Sequence, residues 1–224
     1  MNSKYHVKVI TNEKILNNYS SFTLIAINLF SLGNLSNFNA KNSLFWLDGI
    51  AGVIYAKFKN PNINANKIPG PELLRNLIKK GVISKVTIIG NAPENFIKFM
   101  KDNDVSLLHH YKVPDFNESS IEEFFEVTQD VIFSLPAPVQ EIFAIQLQEK
   151  FNHTLRIYCF GGALQMIHDP KLEANNFIRS IGLEWLWRLR TDTFRRINRL
   201  IKSIFILISA IPYLVKTKID EVEN

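Results

Sequence analysis

The sequence is poor in cysteine: Cys159 is the only one among 224 residues. A single thiol excludes an intramolecular disulfide framework. Because Cys159 lies in the apolar run 155–160, we interpret it as a buried core residue rather than a nucleophile. Residues 1–10 also lack the long apolar core of a signal peptide, so a cytoplasmic location is the default expectation.

Several motifs with a clear chemical meaning are missing. There is no Walker loop and no GxGxxG, which argues against a P-loop NTPase and weakens a dinucleotide-binding hypothesis. The five histidines are scattered, and no zinc-ligand spacing occurs, so we expect neither a metal site nor a cofactor. The longest apolar stretch, residues 204–215, is well short of the roughly 20 residues that a transmembrane helix needs.

The composition nevertheless indicates a folded domain with an anionic partner. Hydrophobic residues make up 46% of the chain and charged residues 21%, which is typical of a globular protein. The formal net charge of +5 suits a nucleotide, a phospholipid surface or a nucleic acid. The chain is long enough for one domain with a substantial core.

Short β-rich runs alternate with helical patterns along the chain. The predicted strands are residues 22–29, 86–90, 106–111, 131–135 and 155–160, and the predicted helices are residues 71–80, 94–103, 119–128 and 138–150. This alternation predicts an α/β fold with a mostly parallel sheet flanked by helices. Ligands bind beyond the carboxyl ends of such strands, so we expect the chemistry in the loops that hold Asn28, Gly90, Gly161 and Gly162.

The composition changes after residue 181. Tryptophan and arginine crowd residues 182–202, and the apolar stretch 204–215 follows with lysines on both sides. The pattern predicts an α/β core over residues 1–181 and a basic, aromatic, helical appendage over residues 182–224 that lies on a membrane surface. Packing of this segment on the core, or on a second copy in a homo-oligomer, is the alternative.

Asp48 is the strongest candidate for a catalytic base. It follows the apolar run 44–47 and precedes Gly49. Apolar surroundings raise the pKa of a carboxyl group toward the range that is useful in general base catalysis. A simple Asp-Gly turn explains the same pattern and is common.

Two other groups have the chemistry to bind a diphosphate. Arg188, Arg195 and Arg199 fall at helical spacing, and guanidinium groups bind phosphates through charge-assisted forks. Gln140 and Glu141 lie in the first turn of the predicted helix 138–150, where backbone N–H groups attract phosphate. A solvated basic face and ordinary capping of the helix end, respectively, are the alternatives.

Four stretches, in order, resemble the WecG/TagA/CpsF family of bacterial glycosyltransferases (glycosyltransferase family 26). They are LDG at 47–49 followed by KIPGPEL at 67–73, PAPVQE at 136–141, the glycine pair at 161–162, and GLEWLWRL at 182–189. The last is the most specific, and the arginines at 195 and 199 follow it. The resemblance extends from about residue 22 to residue 200.

The resemblance implies a single Rossmann-like α/β domain of the GT-E type with a C-terminal appendage that touches the membrane. It implies an inverting, metal-independent transfer of a sugar, often of the N-acetylmannosamine type, from a UDP-sugar donor to an undecaprenyl-diphosphate-linked saccharide. Such an enzyme would act in cell-surface polysaccharide synthesis, peripherally on the inner face of the cell membrane.

The resemblance also assigns roles to residues. Asp48 corresponds to the proposed base, while Arg188 and Arg195, helped by Arg199, would neutralise the departing diphosphate. Further motif positions are expected to line the substrate pocket: Asn28, Lys67, Gly70, Gly90, Gln140, Glu141, Gly161, Gly162 and Glu184.

Four positions depart from the family pattern. Ala26 replaces a threonine, Val139 a lysine, Thr193 a proline and Asn198 an arginine. The lost hydroxyl and cations leave two alternatives: an inactive paralogue that binds a sugar nucleotide, and an adaptor that acts only at a membrane surface. A nucleic-acid adaptor is the weakest hypothesis, because the basic residues lie beside an apolar segment rather than along an aromatic groove.

Overall fold

The computed structural model describes residues 5–38, 41–112, 128–167, 178 and 193–222. The predicted helix 119–128, apart from its last residue, lies outside these ranges. None of the described helices is both long and apolar enough to cross a bilayer.

The centre of the molecule is one sheet of eight strands, in the order β5-β4-β6-β7-β2-β3-β1-β8. Every neighbouring pair is parallel. The strands are β1 (Tyr5–Val9), β2 (Phe22–Ile27), β3 (Ser43–Leu47), β4 (Lys85–Gly90), β5 (Ser106–Tyr111), β6 (Asp130–Ser134), β7 (Arg156–Cys159) and β8 (Thr217–Glu221). The fold class predicted from the sequence is therefore confirmed.

The central strands consist of continuous apolar runs because helices cover both of their faces. β2 reads FTLIAI and β3 reads SLFWL, and every residue of the two strands is buried. Alternating exposure appears toward the edges, in β1 and β8 and at the start of β5.

A 3₁₀ helix (Glu13–Asn18) and eight α-helices are described around this sheet. The α-helices are α1 (Leu29–Leu32), α2 (Leu35–Phe38), α3 (Ile50–Lys59), α4 (Gly70–Lys79), α5 (Glu94–Lys101), α6 (Val139–Lys150), α7 (Ala163–Met166) and α8 (Thr193–Lys216). Helices α1, α2, α3, α6 and α8 contribute to the core on one face of the sheet. The 3₁₀ helix, α4, α5 and α7 contribute to the core on the other face.

The last described residues belong to the sheet. Helix α8 runs directly into β8, which pairs with β1 along five residues, from Tyr5 opposite Thr217 to Val9 opposite Glu221. The sequence predicted a helical appendage that extends to residue 224. In the structure the helix ends at Lys216, and Thr217–Glu221 form a strand instead. The pairing joins two segments more than 200 residues apart, which no local pattern predicts.

Candidate active site

Most of the residues singled out from the sequence lie at the carboxyl edge of the sheet. Asn28 follows β2, Asp48 follows β3, Gly90 ends β4 and Gly161 follows β7. Because all eight strands are parallel, these loops share one edge, which is where α/β proteins bind ligands.

The Asp48 carboxylate is held by two neutral donors. Its Oδ1 accepts a hydrogen bond of 3.0 Å from the backbone N–H of Gly70, and its Oδ2 accepts one of 3.4 Å from Nδ2 of Asn28. Gly70 is the first residue of α4, and the residue before it, Pro69, makes no capping hydrogen bond with its side chain. The carboxylate therefore lies at a helix amino terminus, where the peptide dipoles favour negative charge.

The orientation of Asn28 follows from its role as the amino-terminal cap of α1. Its Oδ1 accepts hydrogen bonds from the backbone N–H groups of Phe30 (2.9 Å) and Ser31 (3.1 Å). Since the carbonyl oxygen is used in this way, the amide nitrogen has to point toward Asp48. The same side chain thus starts a helix and positions the candidate base.

Lys67 is brought near Asp48 by the backbone. The N–H of Ile68 donates a 2.9 Å hydrogen bond to the carbonyl of Leu47, the last residue of β3. The loop that carries Lys67 therefore runs past the carboxyl end of β3.

A second group of polar residues lies behind the β7 loop. Nε2 of Gln140 donates a 2.8 Å hydrogen bond to Oε1 of Glu141, and both side chains are buried in the first turn of α6. No hydrogen bond to Oε1 of Gln140 comes from the part of the chain that the structure describes. A buried acceptor of this kind suits a ligand that carries a hydrogen-bond donor.

Gly161 permits the close packing of this second group. Its φ of 52° lies in the left-handed region, and a Cβ atom there would lie 3.4 Å from Nε2 of Gln140. Any other residue would strain the backbone and press on the buried amide. Gly162 caps α7 and faces open space.

The turn between β7 and α7 lies between the two groups. A Cβ atom placed on Gly70 would lie 3.8 Å from Oδ1 of Asp48 and 3.5 Å from the Cβ of Ala163. Ala163 is only two residues beyond Gly161. One end of this turn, Gly161, therefore packs against Gln140, and the other end, Ala163, lies beside Gly70.

Cys159 has no features of a nucleophile. It is almost completely buried, and burial, together with the charge of Glu141, raises the pKa of its thiol well above the ordinary value. The interpretation of Cys159 as a core residue is confirmed.

Two residues of this edge were not found from the sequence. The indole of Trp46 is buried, its Cζ2 lies 3.9 Å from the Cβ position of Gly70, and its N–H has no acceptor among the described residues. Its position two residues before Asp48 was the available signal, since alternate residues of a strand share a face. Oγ of Ser134 lies 2.6 Å from the carbonyl of Asn91 and 3.1 Å from that of Gly161, which ties two loops together.

The proposed diphosphate-binding residues are not placed by the structure. Glu184 and Arg188 lie outside the described residues, and for Arg195 and Arg199 only the backbone in α8 is described. Their roles remain predictions. Over the described ranges, no three His, Cys, Asp or Glu side chains form a group able to hold a metal ion.

Comparisons with known proteins identify a family and relatives. The model of the glycosyl transferase WecG/TagA/CpsF family matches residues 13–220. Proteins from Staphylococcus aureus strains NCTC 8325, COL and N315 are each 27% identical over 162 residues, which is 68% of this chain and 63% of the relative. Each is named N-acetylglucosaminyldiphosphoundecaprenol N-acetyl-beta-D-mannosaminyltransferase. The matched region thus spans less than two thirds of the length of these relatives.

Proposed function

Because the chain belongs to the glycosyl transferase WecG/TagA/CpsF family, we propose that it transfers a sugar from a UDP-sugar to a polyprenyl-diphosphate-linked saccharide. The names of the S. aureus relatives support an acceptor that ends in N-acetylglucosamine and a donor sugar of the N-acetylmannosamine type. The product would be a precursor of a cell-surface polysaccharide.

The arrangement around Asp48 carries this proposal. A half-buried carboxylate at the carboxyl edge of a parallel sheet, oriented by the Gly70 N–H and the Asn28 amide, is well placed for general base catalysis. Both of these hydrogen bonds come from neutral donors, and they fix the orientation of the carboxylate at the edge of the sheet.

The proposed reaction is a direct displacement. A hydroxyl oxygen of the acceptor sugar attacks the anomeric carbon of the donor while its proton passes to Asp48. The bond between that carbon and the diphosphate oxygen breaks, and UDP leaves with the electron pair. Attack from the face opposite to the leaving group inverts the configuration at the anomeric carbon.

The leaving diphosphate needs cations because the proposed mechanism is metal-independent. Arg188, Arg195 and Arg199 are the proposed partners of the diphosphate, and their fixed charges would stabilise the negative charge that develops on it. Lys67, whose loop runs past the carboxyl end of β3, is proposed as a further cation at the site. Gln140, with its available Oε1, is proposed to bind the donor.

A transfer assay combined with donor binding tests this function. We expect Asp48→Asn to lower the transfer rate by about 100-fold or more, because general base catalysis contributes that much, while calorimetry finds UDP affinity nearly unchanged. Arg188→Ala should lose both UDP binding and transfer. The substrates are UDP-N-acetylmannosamine and a polyprenyl-diphosphate-linked N-acetylglucosamine, without added metal.

Asp102→Asn is the matched control. Asp102 is exposed at the carboxyl end of α5, on the side of the sheet opposite to the edge that holds Asp48. Its substitution should change neither the transfer rate nor the UDP affinity. Full transfer by Asp48→Asn would contradict the base assignment. Binding of UDP by wild type without any turnover would identify an inactive paralogue, and binding of neither UDP nor ADP would identify an adaptor.

A further inference from the structure

Helix α3 presents a stripe of large apolar side chains to solvent. Ile50, Ile54 and Phe58 are 48%, 63% and 78% exposed. They are four residues apart, so they lie on one face of the helix. The opposite face, with Val53 and Ala56, packs into the core of the domain.

Helix α8 carries a longer stripe of the same kind. Its exposed large apolar side chains include Ile201, Ile204, Phe205, Ile208, Ile211 and Val215. Their spacing of three and four residues places them along one side of the helix.

The two helices are joined to each other and to the core. The hydroxyl of Tyr55 donates a 3.2 Å hydrogen bond to the carbonyl of Leu214, and Nζ of Lys59 donates a 2.7 Å bond to that of Val215. Burial raises the pKa of Tyr55 to about 12, so it remains a donor at neutral pH. These bonds place the end of the α3 stripe beside the end of the α8 stripe.

The charged side chains on the two helices have one sign. Neither α3 nor α8 contains an acidic residue, whereas Lys57 and Lys59 lie on α3 and Lys202 and Lys216 on α8. A two-fold contact with a second copy would bring lysines opposite lysines, which is unfavourable. An anionic phospholipid surface complements both the apolar stripes and their cations.

We propose that α3 seats the protein on an anionic bilayer together with α8, and that the α3 stripe brings the candidate base to the depth of the lipid headgroups. Helix α3 begins at Ile50, two residues beyond Asp48. An acceptor whose polyprenyl chain lies in the bilayer exposes its diphosphate and sugar at the headgroups. The significance of this geometry for the acceptor rests on the proposed function, but the membrane contact does not.

Flotation of the full-length protein with vesicles tests the proposal. We expect Ile54→Glu/Phe58→Glu to weaken binding to phosphatidylcholine–phosphatidylglycerol vesicles by about tenfold or more, since two apolar side chains lose their burial. Pure phosphatidylcholine should bind even the wild type weakly. The double variant should keep wild-type UDP affinity, because both side chains point away from the core.

Leu108→Glu is the control, because Leu108 is 47% exposed on the edge strand β5 and far along the sheet from α3. It should bind vesicles like the wild type. Equal vesicle binding by the α3 variant and the wild type would overturn the proposal. So would a wild-type dimer that the α3 substitutions dissociate without any change in vesicle binding. Loss of vesicle binding in a protein that never binds UDP would support the lipid surface and reject the proposed function alone.

Discussion

At the residue scale, two carboxylates at opposite edges of the sheet have different partners. Asp48, at the carboxyl edge, accepts hydrogen bonds from a backbone N–H and a side-chain amide. Asp130, at the amino edge, is 2.5 Å from Nη2 of Arg156 and accepts a 3.3 Å hydrogen bond from the hydroxyl of Tyr158. The Asp130 pair joins the starts of β6 and β7 and has a structural role.

Removing the cation of this pair tests that role. Arg156→Met leaves a buried carboxylate without its partner, which should cost about 3–5 kcal/mol in the free energy of unfolding near neutral pH. Asp130→Asn/Arg156→Met removes both charges and should cost clearly less. Urea denaturation of the two variants and the wild type measures the difference. Equal losses in the single and double variants would show that the lost packing of Arg156, rather than its charge, matters.

The same variant should respond to pH. Burial raises the pKa of Asp130 above its ordinary 3.8, and Arg156 opposes that shift. Without Arg156 the pKa of the folded state rises further, so the folded protein holds a proton that the unfolded chain releases. Stability then falls as the pH rises above about 4. The deficit of Arg156→Met relative to the wild type should therefore be smaller at about pH 4 than near neutrality.

At the element scale, α8 is held on the domain by a close approach to α1. A Cβ atom on Gly33 would lie 2.9 Å from the backbone nitrogen of Leu207 and 2.8 Å from Cγ2 of Ile206. Because α1 begins at its cap Asn28, which contacts Asp48, the packing of α8 is linked to the site through one short helix.

Gly33→Ala tests this packing. Its φ of −65° suits alanine, so only the contact with the α8 backbone opposes the change. We expect a loss of about 1–3 kcal/mol in the free energy of unfolding, as for other overpacked sites. Gly162→Ala is the control: its φ is −71° and a Cβ atom there meets nothing within 4 Å. Thermal or urea unfolding that is unchanged in Gly33→Ala would mean that α8 adjusts freely.

At the scale of the whole molecule, the two ends of the described chain complete the sheet together. β1 has five paired positions with β8 but only one, Val9 opposite Phe45, with β3. Ile219 of β8 is buried in the same core as Val7 and Val9 of β1. The first strand therefore depends on the last one for most of its pairing.

Deleting residues 217–224 should loosen β1 as well as remove β8. The loss of buried Ile219 alone should lower the free energy of unfolding by about 2–5 kcal/mol, as for other large apolar side chains. The newly exposed edge favours aggregation. Hydrogen exchange at the amides of β1 and sedimentation measure both effects. Deletion of residues 223–224 is the control, and protected β1 amides in the longer deletion would contradict the dependence.

Much of this protein follows from local patterns in its sequence. The apolar runs of β2, β4, β6 and β7 predicted a parallel sheet, because buried strands require apolar residues on both faces. Pro71 and Gly81 indicated the limits of α4 to within about one residue. Short motifs also predicted the family and drew attention to Asp48, Asn28 and Gln140, since each lies directly after a strand or at the start of a helix.

The tertiary structure decided what depends on distant parts of the chain. The sequence contained no sign that β8 pairs with β1. Polar and apolar residues alternate in both segments, as they do in many exposed segments, and no local pattern indicates which distant segment a strand pairs with. The hydrogen bond between Asp48 and the start of α4, the buried indole of Trp46 beside it, and the exposed stripe of α3 appeared only in the folded chain. A local pattern specifies which residues prefer burial, whereas the order of strands and the packing of helices specify which residues meet.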